Sequence, residues 1–305
     1  MDHVIVNDVG PRDGLQNDIT AVSPEDRARL INGLLDAGVT DIEAVSFVSP
    51  KAVPKMADAA KVIAALDLSK GNLSALVPNR RGYDMALESG VKSIAVVLSA
   101  TNTMNLKNIN MDLDTTVGVC KEIVAQARSD GLTPRAYVSV AVECPFEGLV
   151  PNQVIADLTS TMFDAGAQEV IIADTIGAAN PQQIRSLFTE LSAEFDPLSL
   201  SAHFHDTRAL ALTNTWEALQ CGIRKFDASI GGLGGCPFAP GAAGNLATED
   251  LVSLLHQAGF STGIDLVKLL DVVELARELV QHDLGGRSLA WQKQNLGKLG
   301  QTAHA

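Results

Sequence analysis

Four phrases decide the fold: DAGVTDIEAVSF (36–47), ESGVKSIAVVLS (88–99), DAGAQEVIIADT (164–175) and QCGIRKFDASIGG (220–232). In each, a glycine closes a helical stretch and an apolar run of strand length follows at once. Gly38, Gly90, Gly166 and Gly222 stand where a helix C-terminus takes left-handed backbone, which glycine adopts without a Cβ clash. Each phrase is therefore half of a βα unit, repeated along the chain. Helix starts supply the other half. Ser23-Pro24-Glu25-Asp26 reads as N-cap, N1 proline and acidic first turn, and Leu30, Ile31, Leu34 and Leu35 then share one helical face. Asn180-Pro181 opens another helix in the same way, and Asn79 caps the segment that ends at Gly90.

Working outward, the pattern predicts eight strands, at 4–9, 41–47, 73–77, 93–98, 135–142, 169–175, 200–207 and 225–231, separated by helices. Eight strands alternating with helices predict a closed parallel (β/α)8 TIM barrel. Composition agrees: 46% of residues are hydrophobic but only 4% aromatic, so the core is built from the small aliphatics that suit strands buried on both faces. A barrel needs about 250 residues, and no linker divides the 305, so 1–305 is read as a single domain. The rival, an open doubly wound sheet, calls for a Gly-rich dinucleotide fingerprint after the first strand; VGPRDGLQN (9–17) is not one. A helix at about 265–279 is additional, with two places to pack: its own barrel, or a second subunit in a homodimer. From about 283, Gly285-Gly286 and the Gln-, Gly- and Ala-containing end predict a mobile tail.

The net charge of −13, with no basic tract, argues against a nucleic-acid partner. No apolar run reaches the roughly 18 residues of a membrane span, and the first residues, MDHVIVNDVG, lack the basic and apolar regions of a secretion signal. Cys120, Cys144, Cys221 and Cys236 fit neither a zinc knuckle nor a disulfide framework. Reduced thiols in the cytoplasm are expected.

Barrel chemistry sits at the C-terminal ends of the strands, and the polar residues gather there. Strand one ends in Asp8 and leads to Arg12-Asp13-Gly14; strand two carries Glu43 and ends near Ser46; strand six ends in Asp174-Thr175; strand seven reads His203-Phe204-His205-Asp206-Thr207. Two positions apart on a strand, His203 and His205 point to one face. They are either two hydrogen-bonded interior histidines or two metal ligands. Asp13, in an Asp-Gly pair, is either a turn residue or a carboxylate ligand. With Asn245 these four form a mixed N/O set that suits an octahedral hard or borderline cation, Mg²⁺ or Mn²⁺ rather than zinc. Arg12 cannot usefully deprotonate, so its part is electrostatic, either toward an enolate oxygen or in an ion pair with Asp8, Glu43 or Asp174. Cys236 lies in a glycine-rich loop without the Lys-Ser/Thr ending of a phosphate loop. It is either a small residue in a tight turn or a thiol that moves a proton.

Taken together, VGPRDGLQN (9–17), SFVSPKAVPKM (46–56), ECPFEG (143–148), ADTIG (173–177), HFHDT (203–207) and GGLGGCPFAPGAAGNLATED (231–250) resemble the 3-hydroxy-3-methylglutaryl-CoA lyase family, in order and over most of the chain. Condensing relatives such as isopropylmalate and homocitrate synthases share Arg-Asp-Gly and His-x-His but carry a Gly-Glu-Arg-Ala-Gly-Asn type of loop where this chain has its cysteine loop. The resemblance implies an oxo-acid lyase that cleaves 3-hydroxy-3-methylglutaryl-CoA to acetyl-CoA and acetoacetate. Its alternatives are a lyase for an isoprenoid-derived or citramalyl-like 3-hydroxyacyl-CoA, or an acetyl-CoA/2-oxo acid synthase. It also implies Asp13, His203, His205 and Asn245 as metal ligands, Arg12 at the thioester carbonyl, Cys236 as the catalytic thiol and Glu43 as support, with Asp13 or His203 as base. Lys107 and Asn108, within LKNIN (106–110), resemble a segment near the coenzyme A end. Arg208-Ala209 replace a Tyr-Gly of better-known members, Phe238 a tyrosine and Glu143 a glycine. Arg208 and Glu143 are two positions that could change the charge of the acyl pocket, which leaves the exact acyl group open.

Overall fold

The computed structural model describes residues 2–235 and 244–295. Eight parallel strands close into a barrel in sequence order: β1 Ile5–Asp8, β2 Asp41–Ser46, β3 Asn72–Leu76, β4 Ser93–Ser99, β5 Thr133–Ser139, β6 Glu169–Asp174, β7 Leu200–Phe204 and β8 Lys225–Ala228. β1 pairs with both β8 and β2, so no edge remains. The capping signals hold. Ser23 Oγ accepts the Asp26 N–H, Asn79 accepts from Gly82, and Asn180 and Gln183 form a reciprocal capping box. Gly38, Gly90, Gly166 and Gly222 all take positive φ, between 83° and 106°.

The apolar residues divide into two sets. The larger lies between the outward faces of the strands and the surrounding helices, with Leu30, Ile31, Leu34, Phe188 and Leu191 fully buried. The smaller, Leu76, Ala95, Tyr137 and Ile171, lies apart from it on the strands β3, β4, β5 and β6. Several strands stop short of the predicted ends. β5 ends at Ser139 because Val140 takes φ 51° and turns the chain out of the sheet. β7 ends at Phe204, and His205 forms a single bridge with Asn245 instead.

The additional helix, Leu266–Val280, packs on its own barrel, where Val272 and Leu275 lie against Gly33 of helix Pro24–Asp36. The expectation of a loose end from about 283 is corrected for 284–295. Gly286 N–H donates to Glu249, Arg287 and Ser288 donate to Asp250, and a short helix, Leu289–Gln294, follows. Two buried carboxylates thus hold a glycine pair that the sequence marks only as pliable. Residues 296–305 lie outside the described residues. Among those described, no helix is long and apolar enough to cross a membrane.

Candidate active site

After β1 the chain makes one wide turn, Gly10–Gly14. The N–H groups of Arg12, Asp13 and Gly14 all point to the carbonyl of Val9, at 3.2, 2.7 and 3.3 Å. Such single widened turns recur at functional sites. Gly14 is required because a Cβ there would lie 2.7 Å from the Cβ of Leu233, beyond the end of β8. The turn therefore sits tight on the barrel rim and carries Arg12 and Asp13 over the mouth.

Across the mouth stand His203 and His205, with ring centroids 5.2 Å apart. Asp13, His203 and His205 each offer one ligand atom, all within 4.8 Å of one another. The Asn245 amide nitrogen donates to Asp13 Oδ2 at 2.8 Å and to the Leu233 carbonyl at 3.0 Å. Its Oδ1 is buried without a hydrogen-bond partner among the described residues. Leaving such an atom unpaired costs about 1–3 kcal/mol. An amide oxygen without a donor, beside a carboxylate and two imidazoles, fits a divalent cation that prefers oxygen and nitrogen ligands.

The charges around this set are strongly coupled. Arg12 lies between Glu43 and Asp13, the latter at 2.7 Å. Burial alone would lower the Arg12 pKa, but the two carboxylates outweigh it and hold the guanidinium above its ordinary value. Burial would raise Asp13; the positive charges of Arg12, His203 and His205 outweigh it, and its carboxyl stays below the usual range. Burial pulls His203 down, and the hydrogen bond and charge of Asp227 more than reverse that. For Glu43 burial dominates and its pKa rises in spite of Arg12.

Arg12, Asp13, His203 and His205 open onto a pocket of about 160 Å³. Leu76, Val97, Met104 and Tyr137 give it an apolar side, while Ser139, Thr175 and Gln16 add polar groups. Asn108, on helix Asn102–Ile109, lines the same pocket; Lys107 beside it is exposed and does not. Cys236 lies outside the described residues, although its neighbour Gly235 lines the pocket. Arg208 and Glu143 are not among the residues that line this pocket. Arg208 donates to the Ala178 carbonyl at 2.9 Å, and Glu143 sits in a short hairpin opposite Leu149.

Sequence reasoning passed over Asp227, Tyr137 and Asn7. Asp227 accepts from Asn7 and Tyr137 at 2.7 Å each and lies 3.1 Å from His203 Nδ1. Burial would raise its pKa, but the His203 hydrogen bond and the charges of His203 and Arg135 outweigh it and bring it to about 2. The available signal was a carboxylate inside the apolar strand phrase KFDAS (225–229).

A parallel barrel with a carboxylate and two imidazoles converging at its mouth, and an amide bonded to that carboxylate, defines the class: a barrel enzyme with a candidate metal centre. Residues 3–276 match the HMGL-like family, and the chain belongs to it. It is 43% identical over 287 residues to the hydroxymethylglutaryl-CoA lyase YngG of Bacillus subtilis (strain 168), covering 94% of this chain and 96% of that one. The crystal structure of the Bacillus subtilis HMG-CoA lyase superposes with a TM-score of 0.93 at 42% identity, covering 96% of this chain and 99% of that one. An HMG-CoA lyase from Acinetobacter baumannii, solved in complex with coenzyme A and 3-methylmalate, superposes with a TM-score of 0.90 at 38% identity, covering 95% of each chain.

Proposed function

We propose that this chain cleaves the C2–C3 bond of 3-hydroxy-3-methylglutaryl-CoA, giving acetyl-CoA and acetoacetate. One observation carries the reading: Asp13, His203 and His205 bring ligand atoms within 4.8 Å of one another at the pocket that Arg12 also lines, with Asn245, whose Oδ1 is unpartnered among the described residues, hydrogen-bonded to Asp13. Relatives at about 40% identity over most of the chain are named for this activity.

Asp13, His203, His205 and Asn245 would hold Mg²⁺ or Mn²⁺, and the cation would supply Lewis-acid polarisation of the substrate's oxygens. The residues supply the rest. Asp13 takes the proton of the 3-hydroxyl. His203, the other candidate, would have Nε2 on the cation and Nδ1 against Asp227, with no lone pair left for it. As the C2–C3 bond breaks, its electron pair moves to C2 and onto the thioester oxygen, and C3 becomes the ketone of acetoacetate. Arg12, held cationic by Glu43 and Asp13, stabilises the enolate oxygen as charge develops there. Cys236 or a water-linked acid returns a proton to C2. Glu43 fixes the Arg12 guanidinium so that no reorientation is needed at the moment of reaction. Asn108, which lines the pocket, and exposed Lys107 next to it would meet the coenzyme A end of the substrate.

The test is acetyl-CoA release from 3-hydroxy-3-methylglutaryl-CoA by the purified protein, with Mg²⁺ or Mn²⁺ and with chelator. Cation-dependent turnover at about 1–1,000 per second is expected. Cation binding without turnover on this substrate would sink the assigned acyl group.

A further inference from the structure

Asp227 belongs to the site without facing the pocket. β1, β8 and β7 are neighbours, and their register places Asn7, Asp227 and His203 side by side at one level of the barrel. Each oxygen of the carboxylate is engaged. Oδ1 accepts from the Asn7 amide at 2.7 Å and lies 3.8 Å from Arg135. Oδ2 accepts from the Tyr137 hydroxyl at 2.7 Å and meets His203 Nδ1 at 3.1 Å. Tyr137 also meets the imidazole edge-on, with ring centroids 6.1 Å apart and planes at 85°.

A carboxylate with these partners only accepts hydrogen bonds. His203 Nδ1 must then carry the proton, and a neutral imidazole protonated there has its free lone pair on Nε2. We infer that Asp227 is a positioning residue: it fixes the tautomer and the ring plane of His203, so that Nε2 stands ready as a ligand atom beside Asp13 and His205. This rests on the reading of that trio as a cation site. Asn7 and Tyr137 act one step further out, holding the carboxylate in the orientation that meets Nδ1. Carboxylate partners of this kind fix the tautomer of ligating histidines and raise their basicity.

The exchange Asp227→Leu tests the inference, because leucine offers His203 Nδ1–H no acceptor. Asp227→Asn is the conservative counterpart. With the asparagine oxygen toward Tyr137 and His203, its NH₂ faces Asn7, whose own Oδ1 is unpartnered among the described residues and can turn to accept it. Two readouts apply, the tautomer of ¹⁵N-labelled His203 in cation-free protein, by NMR, and Mn²⁺ affinity.

Wild type should show the Nδ1–H form. Asp227→Leu should lose it and weaken Mn²⁺ binding about 10- to 100-fold. Asp227→Asn should keep the Nδ1–H form yet bind Mn²⁺ more weakly than wild type, because a neutral acceptor does not raise the basicity of the imidazole. An Asp227→Leu protein that keeps the Nδ1–H form, or keeps its Mn²⁺ affinity, overturns the inference. If that variant does not fold, Asp227→Asn decides alone: weakened Mn²⁺ binding supports the inference, unchanged affinity overturns it. Wild type that binds no Mn²⁺ while Asp227→Leu still loses the tautomer would end the cation reading and leave the hold of Asp227 on the ring standing.

Discussion

Two buried glutamates, each holding an arginine, occupy different layers of the barrel. Glu169, at the start of β6, accepts from Arg135, Ser201 and Lys225, each at 2.7 Å. Burial would raise its pKa, yet Arg135 and Lys225 carry it below the ordinary range. Glu43, in β2, accepts from Arg12, and its second oxygen is buried with no partner among the described residues. Its pKa goes up. The difference teaches what marks a site in this protein. Charge inside the barrel is found at both levels, but the lower carboxylate is saturated and the upper one is not. Asn245 Oδ1 and Ser46 Oγ share that condition near the mouth. Folded proteins pair the great majority of their buried polar atoms. Unpartnered ones also occur elsewhere here, Arg135 Nε and Asn7 Oδ1 among them, so open valences mark space for a substrate and a cation only where they adjoin the cluster of Asp13, His203 and His205.

The comparison breaks most visibly on stability. Glu169→Gln removes the charge that Arg135 and Lys225 share, and uncompensated buried charge costs about 3–5 kcal/mol. Urea unfolding should show that loss, with turnover per folded molecule retained. Glu43→Gln should do the reverse, leaving the unfolding midpoint nearly unchanged and reducing turnover. A Glu169 variant of normal stability and poor turnover would erase the distinction between the layers.

Next in size is Arg12→Gln. An electrostatic stabiliser of developing charge contributes about 10²–10³ in kcat, and that is the expected loss, with Mn²⁺ affinity nearly unchanged. Loss of affinity in step with rate would instead make Arg12 a support for Asp13.

The layers were unequally legible in the sequence. The βα alternation was plain because left-handed helix ends demand glycine, and Gly38, Gly90, Gly166 and Gly222 repeat that demand. The cluster of Asp13, His203 and His205 was legible from position, since these residues fall near or just after strand ends. Strand limits were less so: nothing in RAYVSVAV (135–142) announces that Val140 turns to φ 51°. Asp227 was missed for a different reason. Its partners come from β1, β5 and β7, and only strand register brings Asn7, Tyr137 and His203 to it. The pair Gly285-Gly286 was misread because a glycine states that the chain can turn, and only the fold states that Glu249 waits to receive its N–H.

Glu249 and Asp8 sharpen the comparison through pH. Burial raises both to about 7, more than the bonds from Gly286 and Gly231 to one, and from Thr248 and Gly10 to the other, lower them. Their ordinary values are 3.8 for Asp and 4.5 for Glu, so between those values and about 7 the folded protein keeps protons that the unfolded chain has released. Their stabilisation is full below about pH 4 and is lost as pH rises through about 7. From pH 6 to 8, unfolding free energy should fall by on the order of 1–3 kcal/mol, and Glu249→Gln should flatten that fall. Glu169 has the opposite sign: its contribution is present above the unfolded value and is lost as pH falls. A protein that gains stability from pH 6 to 8 would refute the assignment of Asp8 and Glu249.

The smallest effect concerns strain rather than valence. Ala209, exposed in the loop after β7, takes φ 60°. Its N–H donates to the Asp206 carbonyl at 3.0 Å, and the Asp206 side chain accepts from Ala211 at 3.1 Å. Left-handed backbone costs an L-residue about 1–2 kcal/mol, and glycine removes that cost while adding about 0.4–1 kcal/mol of unfolded-chain entropy. Ala209→Gly should therefore raise stability by about 0.5–1 kcal/mol, with turnover unchanged. Asp206 directly follows His205, so this exchange relaxes the loop beside a candidate ligand without touching one. Unchanged turnover would leave open valences, and not strain, as the mark of the upper layer. Turnover that falls as stability rises would mean that the strained loop helps to hold His205 in place.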